Sequence, residues 1–169
     1  MIEGVKIKNL KVWPDIPDTP SSSIPNSGGE AGGGRSGFLM EVLRDDEGLL
    51  KKFGQTTFTV AYRGTIKAFH WHESQDDLWF VATGRAIVVL HDLRAESPTQ
   101  GQTQVIEAGE GDYKLILIPV GVAHGYKVVS DEPVLLFYHT TEHYDAAAPD
   151  EKRMPWNDPK IGFDWNKYD

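Results

Sequence analysis

Eight short runs rich in β-branched and aromatic residues crowd the stretch from Thr56 to Thr141: TTFTVAY, GTIKAFHWH, LWFVATG, AIVVLHDL, TQVIEA, KLILIPV, GYKVVS and PVLLFYHTT. Gly, Pro, Asp and Ser punctuate them at short intervals, the pattern of an all-β sandwich or barrel. Val5–Trp13 alternates as an opening strand, and Asp45–Phe53 is expected to form one short helix. After Tyr144 the sequence reads as irregular or partly helical, and no solenoid-type repeat is present. At 169 residues the chain can bury a substantial core, and residues 1–169 read as a single domain. Within it, Pro14 to Gly37 (PDIPDTPSSSIPNSGGEAGGGRSG) reads as a flexible loop, with an active-site lid and a plain surface insertion both open.

The formal net charge of −8 argues against a nucleic-acid partner, while leaving room for a local basic pocket for phosphate. Cysteine is absent, which removes disulfides and thiolate metal ligands. No apolar run approaches the ~20 residues of a membrane span. The opening MIEGVKIKNL alternates like a strand instead of forming the apolar region of a signal peptide. A cytoplasmic protein without a membrane partner is the expectation.

Two stretches carry the chemistry. Gly64 to Gly84 reads G-x5-H-x-H-x4-D-x6-G, with His70, His72 and Asp77; Gly111 to His124 reads G-x7-P-x-G-x2-H, with Pro119, Gly121 and His124. Residues two apart on a strand share a face, so His70 and His72 project together. Three imidazoles and a carboxylate converging inside a barrel make a reaction centre, a metal site, or both. Both halves resemble the two cupin motifs, which predicts a double-stranded β-helix, the cupin jelly roll. Leu78, Trp79, Val81, Ile87, Val89, Ile116, Ile118, Leu135 and Phe137 read as packing residues, and His91, His139 and His143 as structural or surface histidines.

Further words are spread along the chain. GTIKAFHWH is a strand ending in histidines, and GRAIVVLHDLRAESPTQG holds Asp-x-Arg and Ser-Pro-Thr-x-Gly. IPVGVAHGYKVVSDE holds Ile-Pro-x-Gly-x-Ala-His-Gly, YHTTEHY holds Tyr-x-x-Thr-x-x-Tyr, and WNDPKIGFDW begins Trp-Asn-Asp-Pro. In this order, from about Gly4 to Trp165, they resemble the dTDP-4-dehydrorhamnose 3,5-epimerase family, cupin-fold enzymes of deoxysugar biosynthesis. The resemblance implies an epimerase or isomerase acting on an NDP-4-keto-6-deoxy sugar, with no cofactor. It also implies a homodimer whose N-terminal strands reach into a neighbouring subunit's site.

The C3 and C5 protons of such a sugar lie α to the carbonyl. Inverting those centres needs a base on one face, a stabiliser for the enolate oxygen and an acid on the other face. By resemblance His70 is the base, Tyr138 the acid and His124 a residue lining the sugar cavity. For the nucleotide diphosphate the resemblance points to Lys67, which stands where the family has arginine, and to Gln55, Glu41 and Arg35. Thr57 replaces the family's asparagine, Leu39 an aromatic residue and Ser36 an arginine that Arg35 adjoins.

Three positions depart from the family. Asp77 stands where the family has a lysine that helps hold the enolate, and a carboxylate opposes a developing oxyanion. His72 replaces a glutamine. The family's catalytic histidine is oriented by an aspartate beyond the final Trp, and Asp158, Asp164 and Asp169 are the candidates here. The same changes complete an alternative: one divalent transition metal held by His70, His72, Asp77 and His124, with Zn, Mn, Fe, Ni and Cu all suited to N and O donors. That reading makes the chain a metal-dependent cupin enzyme. A cupin that binds a sugar nucleotide without turning it over is a third reading.

Overall fold

The computed structural model describes residues 1–15 and 37–169. Nearly all of the Pro14–Gly37 segment, Arg35 included, therefore lies outside the described residues. The strands are β1 (Lys6–Asn9), β2 (Trp13–Pro14), β3 (Phe38–Leu39), β4 (Gln55–Ala61), β5 (Ile66–Trp71) and β6 (Asp77–Thr83). They continue with β7 (Arg85–Asp92), β8 (Thr103–Gly109), β9 (Lys114–Ile118), β10 (Val122–Val128), β11 (Val134–Thr140) and β12 (Lys152–Arg153). Two five-stranded sheets form, in the orders β1-β9-β6-β11-β4 and β12-β5-β10-β7-β8, with β2 and β3 as a separate ribbon. Neighbouring strands run antiparallel throughout, as in the jelly roll expected from the sequence.

Period-two alternation sorts the side chains into layers. Trp79 and Val81 of β6, Val88 and Leu90 of β7, Ile116 and Ile118 of β9 and Leu136 of β11 meet between the sheets. The intervening Leu78 and Phe80 face outward, where Met40, Val42, Leu43, Leu49 and Leu50 cover them. On the other sheet Ile87 and Val89 also face outward, and the C-terminal segment covers them with Ile161, Phe163 and Trp165. Both faces of the central strands are thus buried, which explains the unbroken apolar runs of β6 and β7. Trp165, 1% exposed, packs on Phe69 at 5.5 Å between ring centroids. Its loss would remove about 3–5 kcal/mol of stability.

Four expectations need correction. The short helix expected over Asp45–Phe53 is confined to its start: a 3-10 helix spans Asp45–Glu47 and stops at Gly48, whose left-handed φ of 59° ends it. Leu49 and Leu50 pack on the outer face of the sheet instead. The opening strand is broken, since β1 ends at Asn9 and Trp13–Pro14 pairs with Phe38–Leu39. Leu135 is only half-buried, because β11 turns Val134 and Leu136 inward and its alternate residues out; Phe137, on that outer face, does pack against the Leu78 and Phe80 cluster. The C-terminal segment, besides a 3-10 turn at Trp165–Tyr168, contributes a paired strand, β12.

Candidate active site

Antiparallel pairing of β10 with β5 sets His124 directly opposite His70. The register slips between His124 and Tyr126, and Gly125 lies at that irregularity. A Cβ there would stand 2.3 Å from the Cβ of Ala68, so only glycine lets the two strands approach this closely. The His70 and His124 rings consequently lie 4.1 Å apart between centroids. His72 follows the end of β5, and Asp77 opens β6 in the facing sheet, paired with Thr140 and Ile118. One donor atom from each of His70, His72, Asp77 and His124 falls within 4.8 Å of all the others.

Asp77 is 2% exposed, and its carboxylate accepts from Gln75 Nε2 at 2.7 Å and from Trp79 Nε1 at 3.1 Å. His72 Nε2 stands 3.7 Å from Oδ1, and His124 Nε2 3.5 Å from Oδ2. Burial alone would raise the Asp77 pKa; the His124 imidazole, with His72 and the Gln75 amide, outweighs it and holds the carboxyl below its ordinary range. Burial, reinforced by the His124 ring, pushes the His70 imidazole down to about 2, and burial also lowers His72. His70 is therefore neutral throughout the physiological range. His124 Nδ1 lies 2.8 Å from the Val122 carbonyl, which can only accept, so the proton is on Nδ1.

Above this cluster opens a cleft of about 1480 Å³, lined among others by Gln55, Lys67, His70, Tyr138 and Arg153. Tyr138 stands on β11 beside Trp79 and Thr57. Burial raises its phenol above the ordinary value, with Thr57 pulling the other way, so it carries a proton at neutral pH. Lys67 reaches from β5 across to β4, donating to Thr59 Oγ1 at 2.6 Å and to the Val60 carbonyl at 3.1 Å. His124, 1% exposed, lies beneath the cleft instead of lining it.

Other sequence candidates lie elsewhere. Glu41 sits in a separate groove with Lys11 and Trp13 and pairs with Arg44 at 3.4 Å. Of the proposed orienting aspartates, Asp158 accepts from the Lys160 amide, Asp164 from the Asn166 amide, and Asp169 pairs with Lys127. All three are engaged away from His70. His91 bonds Thr103 and His139 bonds Thr56, as structural histidines do, while His143 is exposed at the cleft.

Four residues of the site escaped sequence reasoning. Trp79 read as packing only, yet its indole N–H holds Asp77. Gln75, two residues before Asp77, carried a signal in its position next to the motif. Asp150 lies 3.8 Å from His72 Nδ1, and Arg153 pairs in register with His70. These last two come from a segment whose strand has only two residues, too short to show a period.

The family model described as dTDP-4-dehydrorhamnose 3,5-epimerase matches residues 30–169. The chain belongs to this family. Among curated relatives of the family, the spore coat polysaccharide biosynthesis protein SpsL of Bacillus subtilis is 48% identical over 98% of this chain and 97% of its own length. The probable low-salt glycan biosynthesis epimerase Agl13 of Haloferax volcanii is 36% identical over 77% of this chain and 85% of its own. Among solved structures, a dTDP sugar isomerase of Desulfovibrio desulfuricans superposes with a TM-score of 0.80 at 27% identity, covering 99% of this chain and 94% of that one. An epimerase of Legionella pneumophila, solved with dTDP-4-keto-L-rhamnose, gives 0.76 at 25% identity, covering 97% and 79%. The family's cupin jelly roll is therefore the fold of this chain.

Proposed function

We propose that this chain epimerises an NDP-4-keto-6-deoxy sugar at C3, C5 or both, serving deoxysugar or polysaccharide biosynthesis. The observation that carries this reading is the placement of His70 and Tyr138: they come from opposite sheets and line one open cleft. A keto sugar between them can lose its α-proton to one side, and the planar enolate so formed can regain a proton from the other. His70 is neutral, the form a base requires, and Tyr138 is protonated, the form an acid requires. The negative charge of a bound diphosphate and of the forming enolate raises the proton affinity of His70 on binding. These proton transfers need no cofactor.

Lys67 and Arg153 supply positive charge at the cleft, while Gln55 offers an amide beside them. With a carboxylate at position 77, the enolate and diphosphate charges are met from these two cations. Glu41 lies away from the cleft of its own chain, in keeping with a role in a neighbouring subunit's site. A homodimer is supported by β4, an edge strand among the described residues that exposes Phe58 and Val60, with Tyr62 exposed just beyond its end.

The test is solvent exchange. In deuterated water the chelator-treated protein should introduce deuterium at C3 or C5 of a dTDP-4-keto-6-deoxyhexose, read by proton NMR. His70→Ala should abolish exchange. Tyr138→Phe should keep exchange with retention while inversion falls by ~10²–10⁴. Inversion at the wild-type rate in His70→Ala would remove His70 as base, and an inert wild type would favour binding without turnover.

A further inference from the structure

We propose that the Tyr126 hydroxyl donates a hydrogen bond to the C4 oxygen of the substrate, first as ketone and then as enolate. This donor rests on the epimerase reading, which leaves the forming oxyanion without a named group in contact. Tyr126 is 2% exposed, and its hydroxyl is buried with no hydrogen-bond partner. Thr59 Oγ1, its polar neighbour, accepts from Lys67 at 2.6 Å and completes no bond to the phenol. A buried hydroxyl left unpaired is costly, whereas phenylalanine would fill the same space without that cost. A partner that arrives with the ligand accounts for the oxygen.

Tyr126 lines the cleft together with His70 and Tyr138. It stands on β10 two residues after His124, in register with Lys67 of β5 and Val88 of β7, so its backbone is fixed from both sides. Trp79 meets its ring edge-on at 5.8 Å between centroids, and the same indole lies 5.0 Å from His124 and 6.1 Å from His70. One packed row thus joins the phenol to the base. Burial pushes the Tyr126 pKa up to about 12 against the pull of Thr59, so the phenol keeps its proton and remains a donor. A donor held rigidly in this way needs no reorganisation when charge develops.

The chemistry asks for such a group. When His70 takes the α-proton, the C–H electron pair forms a double bond to C4, and the carbonyl pair moves onto the C4 oxygen. Tyr138 then protonates the carbon from the other face, and the pair returns to the carbonyl. The Tyr126 proton stays on its own oxygen throughout, and its hydrogen bond tightens as charge gathers on the acceptor. Other polar groups of the cleft are less suited. The Asp77 carboxylate repels an oxyanion, and the single donor of Trp79 is spent on it. Lys67 and Arg153 are exposed, where solvent screens them, and both are engaged: Lys67 by Thr59 and the Val60 carbonyl, Arg153 by Glu151. They answer charge from the rim, whereas the buried phenol can touch the atom on which it forms.

The experiment compares the wild type with Tyr126→Phe, which removes one oxygen and keeps the ring. Unliganded, the variant should melt at or above the wild-type temperature, since it loses an unpaired polar group. By calorimetry dTDP alone should bind both proteins alike, while a dTDP-4-keto-6-deoxyhexose should bind the variant roughly 2- to 10-fold more weakly. Deuterium exchange at saturating substrate, read by proton NMR, should fall by ~10²–10³, with inversion and retention reduced together. This sets Tyr126 apart from Tyr138, whose loss spares exchange. Wild-type exchange and ketone affinity in Tyr126→Phe would overturn the proposal. So would a lowered melting temperature with weaker binding of dTDP itself, which assigns the hydroxyl to packing. A wild type that binds the ketone without exchanging it sinks the epimerase reading alone. Ketone affinity then decides Tyr126: weaker binding in the variant sustains the donor, and equal binding removes it. Failure of the wild type to bind the ketone sinks both.

Discussion

Asp77 is the residue on which this cleft turns. By the resemblance it puts an anion where the family has a cation, and three imidazoles gather round it. Those imidazoles make stability sensitive to acid. Burial lowers the pKa of His70 and of His72 in the folded chain, whereas in the unfolded chain both titrate near 6.5. The unfolded state therefore binds more protons below that value, and stability falls as pH drops. For His70 the window runs from 6.5 down to about 2. In metal-free protein each such histidine contributes a slope of up to about 1.4 kcal/mol per pH unit. Thermal unfolding should thus shift to lower temperature between pH 7 and pH 5, and His70→Gln should flatten that dependence. A variant with the wild-type slope would show that His70 takes up its proton in the folded state.

The element that assembles the cluster is the β5–β10 pair. Gly125 permits the close approach that sets His124 opposite His70. Gly125→Ala should spread the strands, cost about 1–3 kcal/mol from overpacking, and reduce exchange activity beyond what the lost stability explains. Chemical denaturation together with activity at low temperature would check this. A variant with wild-type stability and activity would mean that the strands can part without moving the imidazoles. The loop after β7 works differently. Asp92 accepts from Arg94, Ser97 and Thr99, which shapes the turn spelled by the Asp-x-Arg and Ser-Pro-Thr-x-Gly words. These side chains bond one another and the Arg94 and Thr99 amides of the loop, away from the cleft.

Among the described residues, the two sheets are covered on their outer faces by the Met40–Leu50 segment and by the C-terminal segment, while β4 is left as an uncovered edge. Phe58 and Tyr62 there are 61% and 68% exposed, and Phe38 and Leu39 of the β2–β3 ribbon are likewise open. Light scattering after gel filtration should give twice the chain mass, and Phe58→Lys with Tyr62→Lys should shift it towards the monomer. A wild-type monomer at micromolar concentration would remove the homodimer and, with it, the idea that Glu41 serves a neighbour's site.

Strand positions were legible because alternation is local: each of the eight sequence runs overlaps a strand of the barrel to within a few residues. The convergence of His70, His72, Asp77 and His124 was legible too, since a period of two and fixed glycine spacing carry it. The helix at Asp45–Phe53 proved shorter than its local pattern, because a left-handed glycine and the pull of Leu49 and Leu50 onto the sheet end it at Glu47. Sequence by itself determined which residues could share a strand face, and so the convergence of His70, His72, Asp77 and His124. Only the tertiary structure decided what those residues meet. It assigned Asp77 to His72 and His124, gave Asp158, Asp164 and Asp169 other partners, and set Glu41 beside Arg44. It also brought Arg153 alongside His70. The reason is physical: a side chain's direction along a strand follows from backbone geometry, whereas its partner across the barrel depends on how two sheets and a covering segment pack.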